Sequence, residues 1–255
     1  MITLLNGETY LQEEIVGMAY DDEFYYGHLG KNALSSSSLK TILKSPKTYR
    51  NILNYGDPNS DSPALAAGKL VHWMILESHK IDKLHFVDAS TKNTKVYKEA
   101  KAKYGEVFLT KEKNAAERLT DAVLRNEAAI KLLNKSEFEV PQVQMLDGLP
   151  FRGKADIIQG DTIIDLKTTA ELNTFKYSAD RFGYDLQAWL YLKLFDKKKF
   201  TFLVIDKAST DIGIFETTDE FLARGENKFK QAVDNYKYFF EQDNDLDQYV
   251  MRGIL

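Results

Sequence analysis

Polar and apolar positions alternate along Glu137–Met145, and the pattern returns in Ala155–Gln159 and Thr162–Lys167, which are rich in β-branched and apolar residues. Period-two alternation predicts strands. Asp147-Gly148 and Gly160-Asp161 stand between these runs as two-residue hairpin signals, so the three strands read as a meander. Further strands are predicted at Phe200–Asp206 and Asp211–Thr217. Helical patterning surrounds them. Ser36 to Ser38 offer N-caps for a short helix through Lys44, and Ser45-Pro46 starts another. Ser62-Pro63 repeats that signal for a helix over about 63–77. Residues 96–135 read as one or two helices including Lys111–Leu133, Asp180–Lys193 as a helix, and Asp219–Glu241 as a long amphipathic one. Residues 1–33 lack a clear period and read as a short strand pair or arm. Gly56–Ser62 reads as a polar loop, and 78–95 as a loop carrying His79 and His85. The expectation is one α/β (α+β) domain over 1–255, a central mixed β-sheet flanked by helices, with 78–135 as a largely helical insertion.

The meander carries chemistry. If each hairpin loop has two residues, counting outward sets Asp156 opposite Asp165 and Glu139 opposite Asp156. Opposed side chains have Cβ atoms roughly 4.5–5.5 Å apart, where like charges are destabilising. A divalent cation such as Mg²⁺ relieves that cost with oxygen ligands. Lys167 lies two residues beyond Asp165 and returns to the same face. Pro141 and Pro150 disfavour regular pairing and point to an edge strand or bulge. Alternation puts Glu137 and Glu139 on one face, so the third acid is open between them. The competing reading is a meander whose acids are simply solvated on an outer face.

Composition narrows the class. The chain has 255 residues, 44% hydrophobic and 28% charged, as in a globular protein. No apolar run approaches a membrane span and the N-terminus lacks a signal-peptide pattern, so a cytoplasmic protein with no membrane role is expected. The absence of cysteine excludes disulfides, zinc–thiolate sites and an iron–sulfur cluster. A net charge of −4 argues against a generally basic coat, so any DNA contact must be a local basic surface around an acidic centre.

Five blocks in order, Leu34–Arg50, Ser62–Glu77, Gly153-Lys-Ala-Asp156, Asp165-Leu-Lys-Thr168 and Gln187-Ala-Trp-Leu-Tyr191, resemble the PD-(D/E)xK nuclease superfamily. The likeness is strongest to the phage-derived exonuclease VIII (RecE-type) branch, and more distant to RecB-type nuclease domains and lambda exonuclease. Ala155 stands where the motif's proline would be. The resemblance implies a restriction-endonuclease-like core and metal-dependent phosphodiester hydrolysis. Asp156, Asp165, His72 and the backbone carbonyl of Leu166 would hold Mg²⁺, with Mn²⁺ as a substitute, and Glu139 would help hold a second ion. Lys167 would position or deprotonate water, for which a lowered pKa would suit it.

Each residue also has a plainer reading. His72, four residues after Gly68 on one helix face, would reach the carboxylates because Gly68 lets the helix approach closely; without the resemblance it reads as a core histidine between Val71 and Trp73. Gln187 and Tyr191, with Tyr184 a turn earlier, border the active site in the related nucleases, or form the polar face of an ordinary helix. Lys69, Arg152 and Lys154 are candidate phosphate contacts, or solvated cations. Exonuclease VIII further implies 5′→3′ digestion of double-stranded DNA ends, a ring-like homo-oligomer, a single-strand-annealing recombinase as partner, and a bacterial host's cytoplasm. A structure-specific endonuclease or opposite-polarity nuclease on the same scaffold, and a non-catalytic DNA-binding or assembly module, remain as alternatives.

Overall fold

The two hairpin signals form the two tight turns of the largest sheet. The computed structural model describes residues 1–58 and 63–250. Nine strands occur among them: β1 (Ile2–Thr3), β2 (Thr9–Tyr10), β3 (His85–Val87), β4 (Val107–Leu109), β5 (Glu137–Leu146), β6 (Leu149–Gln159), β7 (Thr162–Thr169), β8 (Lys199–Asp206) and β9 (Ile212–Glu216). The last five make one mixed sheet in the order β5-β6-β7-β8-β9, in which only the β7–β8 pair is parallel. Leu146 pairs with Leu149 and Gln159 with Thr162, so both loops have two residues. Asp147 and Gly148 both adopt positive φ, as a type I′ turn requires. Pro141 is accommodated because β5 is an edge strand.

Helices cover both faces, as an apolar sheet demands. On one face Leu70 and Val71 of the Pro63–Leu76 helix and Leu119 and Val123 of the Thr110–Arg125 helix bury against Ile157, Ile164, Leu166 and Leu203. On the other, Ala188 and Tyr191 of the Tyr184–Phe195 helix meet Ala155, Ile163, Phe202 and Val204. Full burial of each such aliphatic side chain contributes about 1.5–3 kcal/mol relative to exposure. The Asp219–Tyr236 helix backs that helix so closely that a Cβ on Gly225 would lie 2.1 Å from the Asp185 carbonyl oxygen. Only glycine fits there.

The caps follow the sequence. Ser35 caps the Ser36–Lys44 helix one residue before the expected serines, and Ser45 caps Pro46–Tyr55. The Ser62 cap lies outside the described residues. Three readings need correction. The stretch taken as a loop over 78–95 holds a 3-10 turn, Ser78–Lys83, and β3, which pairs in parallel with β4. The helical insertion is therefore interrupted by a strand, because Val107, Phe108 and Leu109 bury their side chains beneath the surrounding helices. The final helix gives way after Tyr236 to a π-helical turn, Lys237–Glu241. Residues 1–33 contain the β1–β2 pair and continue through a helix, Gln12–Met18, and a π-helical turn, Glu23–His28; Ile15, Tyr25 and Leu29 pack against Val143 of β5.

Candidate active site

The site begins where two neighbouring strands part. β6 and β7 pair at Gln159–Thr162, Ile158–Ile163 and Ile157–Ile164, and no further. One step on, where the hairpin count would set Asp156 opposite Asp165, the ladder has ended. Instead of a ladder bond, the Leu166 N–H donates to Asp156 Oδ2 at 2.8 Å. Side-chain alternation slips here: Ala155 and Ile158 face the Tyr184–Phe195 helix, whereas Ile157 faces the opposite layer. That slip coincides with the left-handed backbone of Glu139 on the neighbouring strand. β7 meanwhile keeps its parallel pairing to β8 as far as Thr169, which holds Asp165 and Lys167 rigidly.

Glu139 is aimed by the backbone. Its register partner is Asp156, since Phe138 pairs with Ile157 and Val140 with Ala155. Yet Glu139 has φ of 51°, a left-handed conformation that costs a non-glycine residue of order 1–3 kcal/mol and concentrates at functional sites. The twist brings Glu139 to the site while Glu137 stays exposed. Local alternation could not separate them.

From the opposite layer, His72 reaches over the split. Its Nε2 lies 2.7 Å from the Leu166 carbonyl oxygen and its Nδ1 3.7 Å from Asp156 Oδ2. A carbonyl only accepts, so Nε2 carries a proton, and Nδ1 is the ring nitrogen that faces Asp156. The Gly68 explanation does not hold: a Cβ there would meet Thr168 Oγ1 at 3.8 Å, an ordinary contact. His72 arrives by helix register and not by unusually close helix approach.

Ligand atoms of His72, Glu139 and Asp156 all lie within 4.8 Å of one another, a set that can hold a divalent cation. The electrostatics fit that use. Burial, then the charges of Asp156 and Glu77, push the Glu139 carboxyl up to about 8. Burial also raises Asp156, and Asp165 adds to it. Two buried carboxylates short of positive charge are what a cation would relieve.

Asp165, 1% exposed, faces a different set of partners. It pairs with Lys167 and accepts a 2.7 Å hydrogen bond from Gln187 Nε2. Burial works against the Lys167 charge, but Asp165 and Asp156 more than offset it and raise its pKa above the usual lysine value. The direction is opposite to the lowered pKa that would suit proton abstraction. Lys167 stands over the Tyr184 ring, 5.2 Å from its centroid.

Lys40, not singled out in the sequence, stands over the same ring at 5.3 Å and donates to Gln187 Oε1 at 3.4 Å. Burial and the Lys167 charge lower its pKa to about 8. Nothing local in Ser36–Lys44 marks Lys40, because its partners lie 127 or more residues away on β7 and the Tyr184–Phe195 helix.

The remaining candidates are placed differently. Tyr191 is buried on the Tyr184–Phe195 helix and hydrogen-bonds with the Lys154 backbone, contacting neither carboxylate. Lys154 donates to Asp22 at 2.7 Å and, like Arg152, lies over the Tyr25 ring, so the N-terminal segment covers both. Lys80 holds the same Asp22, and Glu77 as well, beside a cleft of about 430 Å³ that Glu139 and Lys154 also line. Lys69 pairs with Glu106 at 2.6 Å on the outer side of its helix.

One family model and one solved structure agree on the fold. The family described as "PDDEXK-like domain of unknown function (DUF3799)" matches residues 35–246. The crystal structure of a "putative exonuclease" from Eubacterium rectale is similar with a TM-score of 0.71 at 17% identity, covering 97% of each chain. A phage related exonuclease from Haemophilus somnus 129PT is 13% identical over 83% of this chain and 96% of its own, with a TM-score of 0.36. Among curated proteins, none matches this sequence significantly.

Proposed function

The chain belongs to the PDDEXK-like family whose model spans residues 35–246, and on that premise we propose that it is a metal-dependent DNA exonuclease. The observation that carries the reading is the convergence of His72, Glu139 and Asp156 at the β6–β7 split, beside a lysine held by Asp165. A structural ion pair would account for Asp165 and Lys167 alone, but not for two further acids buried against each other at a strained residue. A divalent cation there, Mg²⁺ with Mn²⁺ as substitute, supplies charge to offset the scissile phosphate and makes water more acidic.

This chain's own groups then divide the work. His72, Glu139 and Asp156 would hold the cation, and Asp165 and the Leu166 carbonyl, here engaged by Lys167 and His72, would complete the set. Lys167 orients water and steadies charge on the phosphate. Gln187 fixes the Asp165 carboxylate through its amide. Tyr184 and Lys40 line the phosphate side, while Tyr191, Arg152 and Lys154 hold the surrounding scaffold. Lys69, beyond the site, is reserved for the DNA flank. The proposed reaction breaks a P–O bond by water attack and leaves a 5′-phosphate and a 3′-hydroxyl.

The finer reading rests on the exonuclease VIII resemblance: 5′→3′ digestion of double-stranded ends in phage-type recombination, by one nuclease domain assembled as a homo-oligomeric ring, with a single-strand-annealing recombinase, in a bacterial host's cytoplasm. Among the described residues no helix is long and apolar enough to cross a membrane. Duplexes labelled at the 5′ or the 3′ end test polarity: early release of 5′ label as mononucleotide is expected, and early release of 3′ label overturns it.

A further inference from the structure

Beyond the ligand cluster, the segment Phe175-Lys-Tyr-Ser-Ala-Asp-Arg-Phe-Gly-Tyr184 interleaves aromatic and basic residues, and its aromatic side chains divide sharply in exposure. Phe175 is buried, whereas Phe182 is 51% exposed and Tyr177 67%. A large apolar ring left in solvent is informative when it stands next to a site. Phe182 lies 5.9 Å from the Tyr184 ring, the same ring that carries Lys167 and Lys40. The Arg181 guanidinium lies over Phe182 at 5.6 Å from its centroid. Gly183 between the two rings takes φ of +61°, which turns the chain from the Phe175–Arg181 helix into the Tyr184–Phe195 helix and leaves Phe182 at the corner.

We propose that Phe182 is a base-stacking platform that receives an unpaired nucleotide at the end of the DNA strand entering the site. The inference rests on DNA being the substrate. Its geometry is that of single-strand binding surfaces, which join exposed aromatic rings to nearby cations that follow the backbone. Arg181 supplies such a cation over the Phe182 ring, and the Lys40 amine lies over the neighbouring Tyr184 ring. An exposed ring accepts any base, so the platform selects for unpaired ends and not for sequence.

The test uses a duplex with a short single-stranded tail carrying 2-aminopurine at its terminus, in chelator so that nothing is cut. Stacking should quench the fluorescence with wild type. Phe182→Ala should bind this tail about 10- to 100-fold more weakly, since one stacked base accounts for an effect of that order, and Phe182→Trp should restore binding. Affinity of Phe182→Ala within twofold of wild type, or no quenching by wild type, overturns the platform. So does a change in oligomeric state of Phe182→Ala by light scattering, which would assign this face to a second copy of the chain. Cleavage with Mg²⁺, assayed separately, judges the nuclease reading. Wild type that quenches without cutting refutes that reading and keeps the platform. Wild type that cuts while Phe182→Ala binds equally does the reverse.

Discussion

Asp156 and Leu166 are joined across the split between β6 and β7 by a 2.8 Å hydrogen bond, backbone N–H to carboxylate. The same carboxylate thus stands in for a missing ladder acceptor and faces His72 and Glu139. Asp156→Asn keeps an acceptor for that N–H, whereas Asp156→Ala orphans it at a cost of about 1–3 kcal/mol. Urea unfolding in chelator should find Asp156→Ala less stable than Asp156→Asn by that margin, with both inactive. Equal stabilities would mean the bond is incidental.

Metal affinity should depend on pH. Glu139, raised to about 8 by burial and by Asp156 and Glu77, is protonated at pH 6 and must release its proton to act as a ligand. Affinity for Mn²⁺ should therefore climb up to about tenfold per pH unit from 6 and level off above 8. The sign for stability is the reverse. A raised carboxyl contributes stability that is fully present below its unfolded value and lost as pH rises through about 8, so the metal-free protein weakens over that window and added cation restores it. Calorimetry in buffers of different ionisation enthalpy measures the released proton. A pH-independent affinity between 6 and 8 would remove Glu139 from the ligand set.

His72→Ala should lower metal affinity and leave the fold intact, because the ring is only half-buried and packs on one side. Even an outer-sphere histidine accounts for a loss of about 10- to 100-fold, and a direct ligand for at least that. Unchanged affinity would return His72 to a role as a bridge to the Leu166 carbonyl.

Gly68→Ala should stabilise the Pro63–Leu76 helix by about 1 kcal/mol, the usual glycine penalty, since its Cβ has room. Thermal melting that shows a loss instead would mean the helix does need the glycine's closeness.

Lys167→Ala leaves Asp165 buried without its cation, so the metal-free fold should weaken by several kcal/mol, roughly 3–5. Single-turnover cleavage at saturating Mg²⁺ should fall about 10²- to 10⁴-fold, with Lys167→Gln recovering stability more than rate. A rate within a factor of about three of wild type, far below that range, would make Lys167 a structural ion-pair partner only.

Much of this arrangement was legible in the chain because two-residue hairpins fix register. Asp147-Gly148 and Gly160-Asp161 set Glu139 opposite Asp156 and carry the β6–β7 ladder to within one residue of Asp156 and Asp165. What escaped is what register does not encode. The left-handed turn at Glu139 breaks the alternation that made Glu137 its equal. The pairing of Asp165 with Lys167 and Gln187, apart from the His72 cluster, depends on which way each carboxylate turns at the split. Asp22 meets Lys154 from 132 residues away, so no local pattern announces that the N-terminal segment covers two expected phosphate contacts. The short β3–β4 pair was missed because three residues are too few for a period to emerge.

The central claim is most directly tested by incubating linear and closed circular duplex DNA with the protein, with Mg²⁺ or with chelator, beside Asp156→Asn. Wild type should degrade linear DNA in Mg²⁺ alone and spare the closed circle, and chelator and Asp156→Asn should each abolish the activity. Cutting of the circle would contradict an end-dependent enzyme, and undiminished degradation in chelator or by Asp156→Asn would contradict the metal site itself.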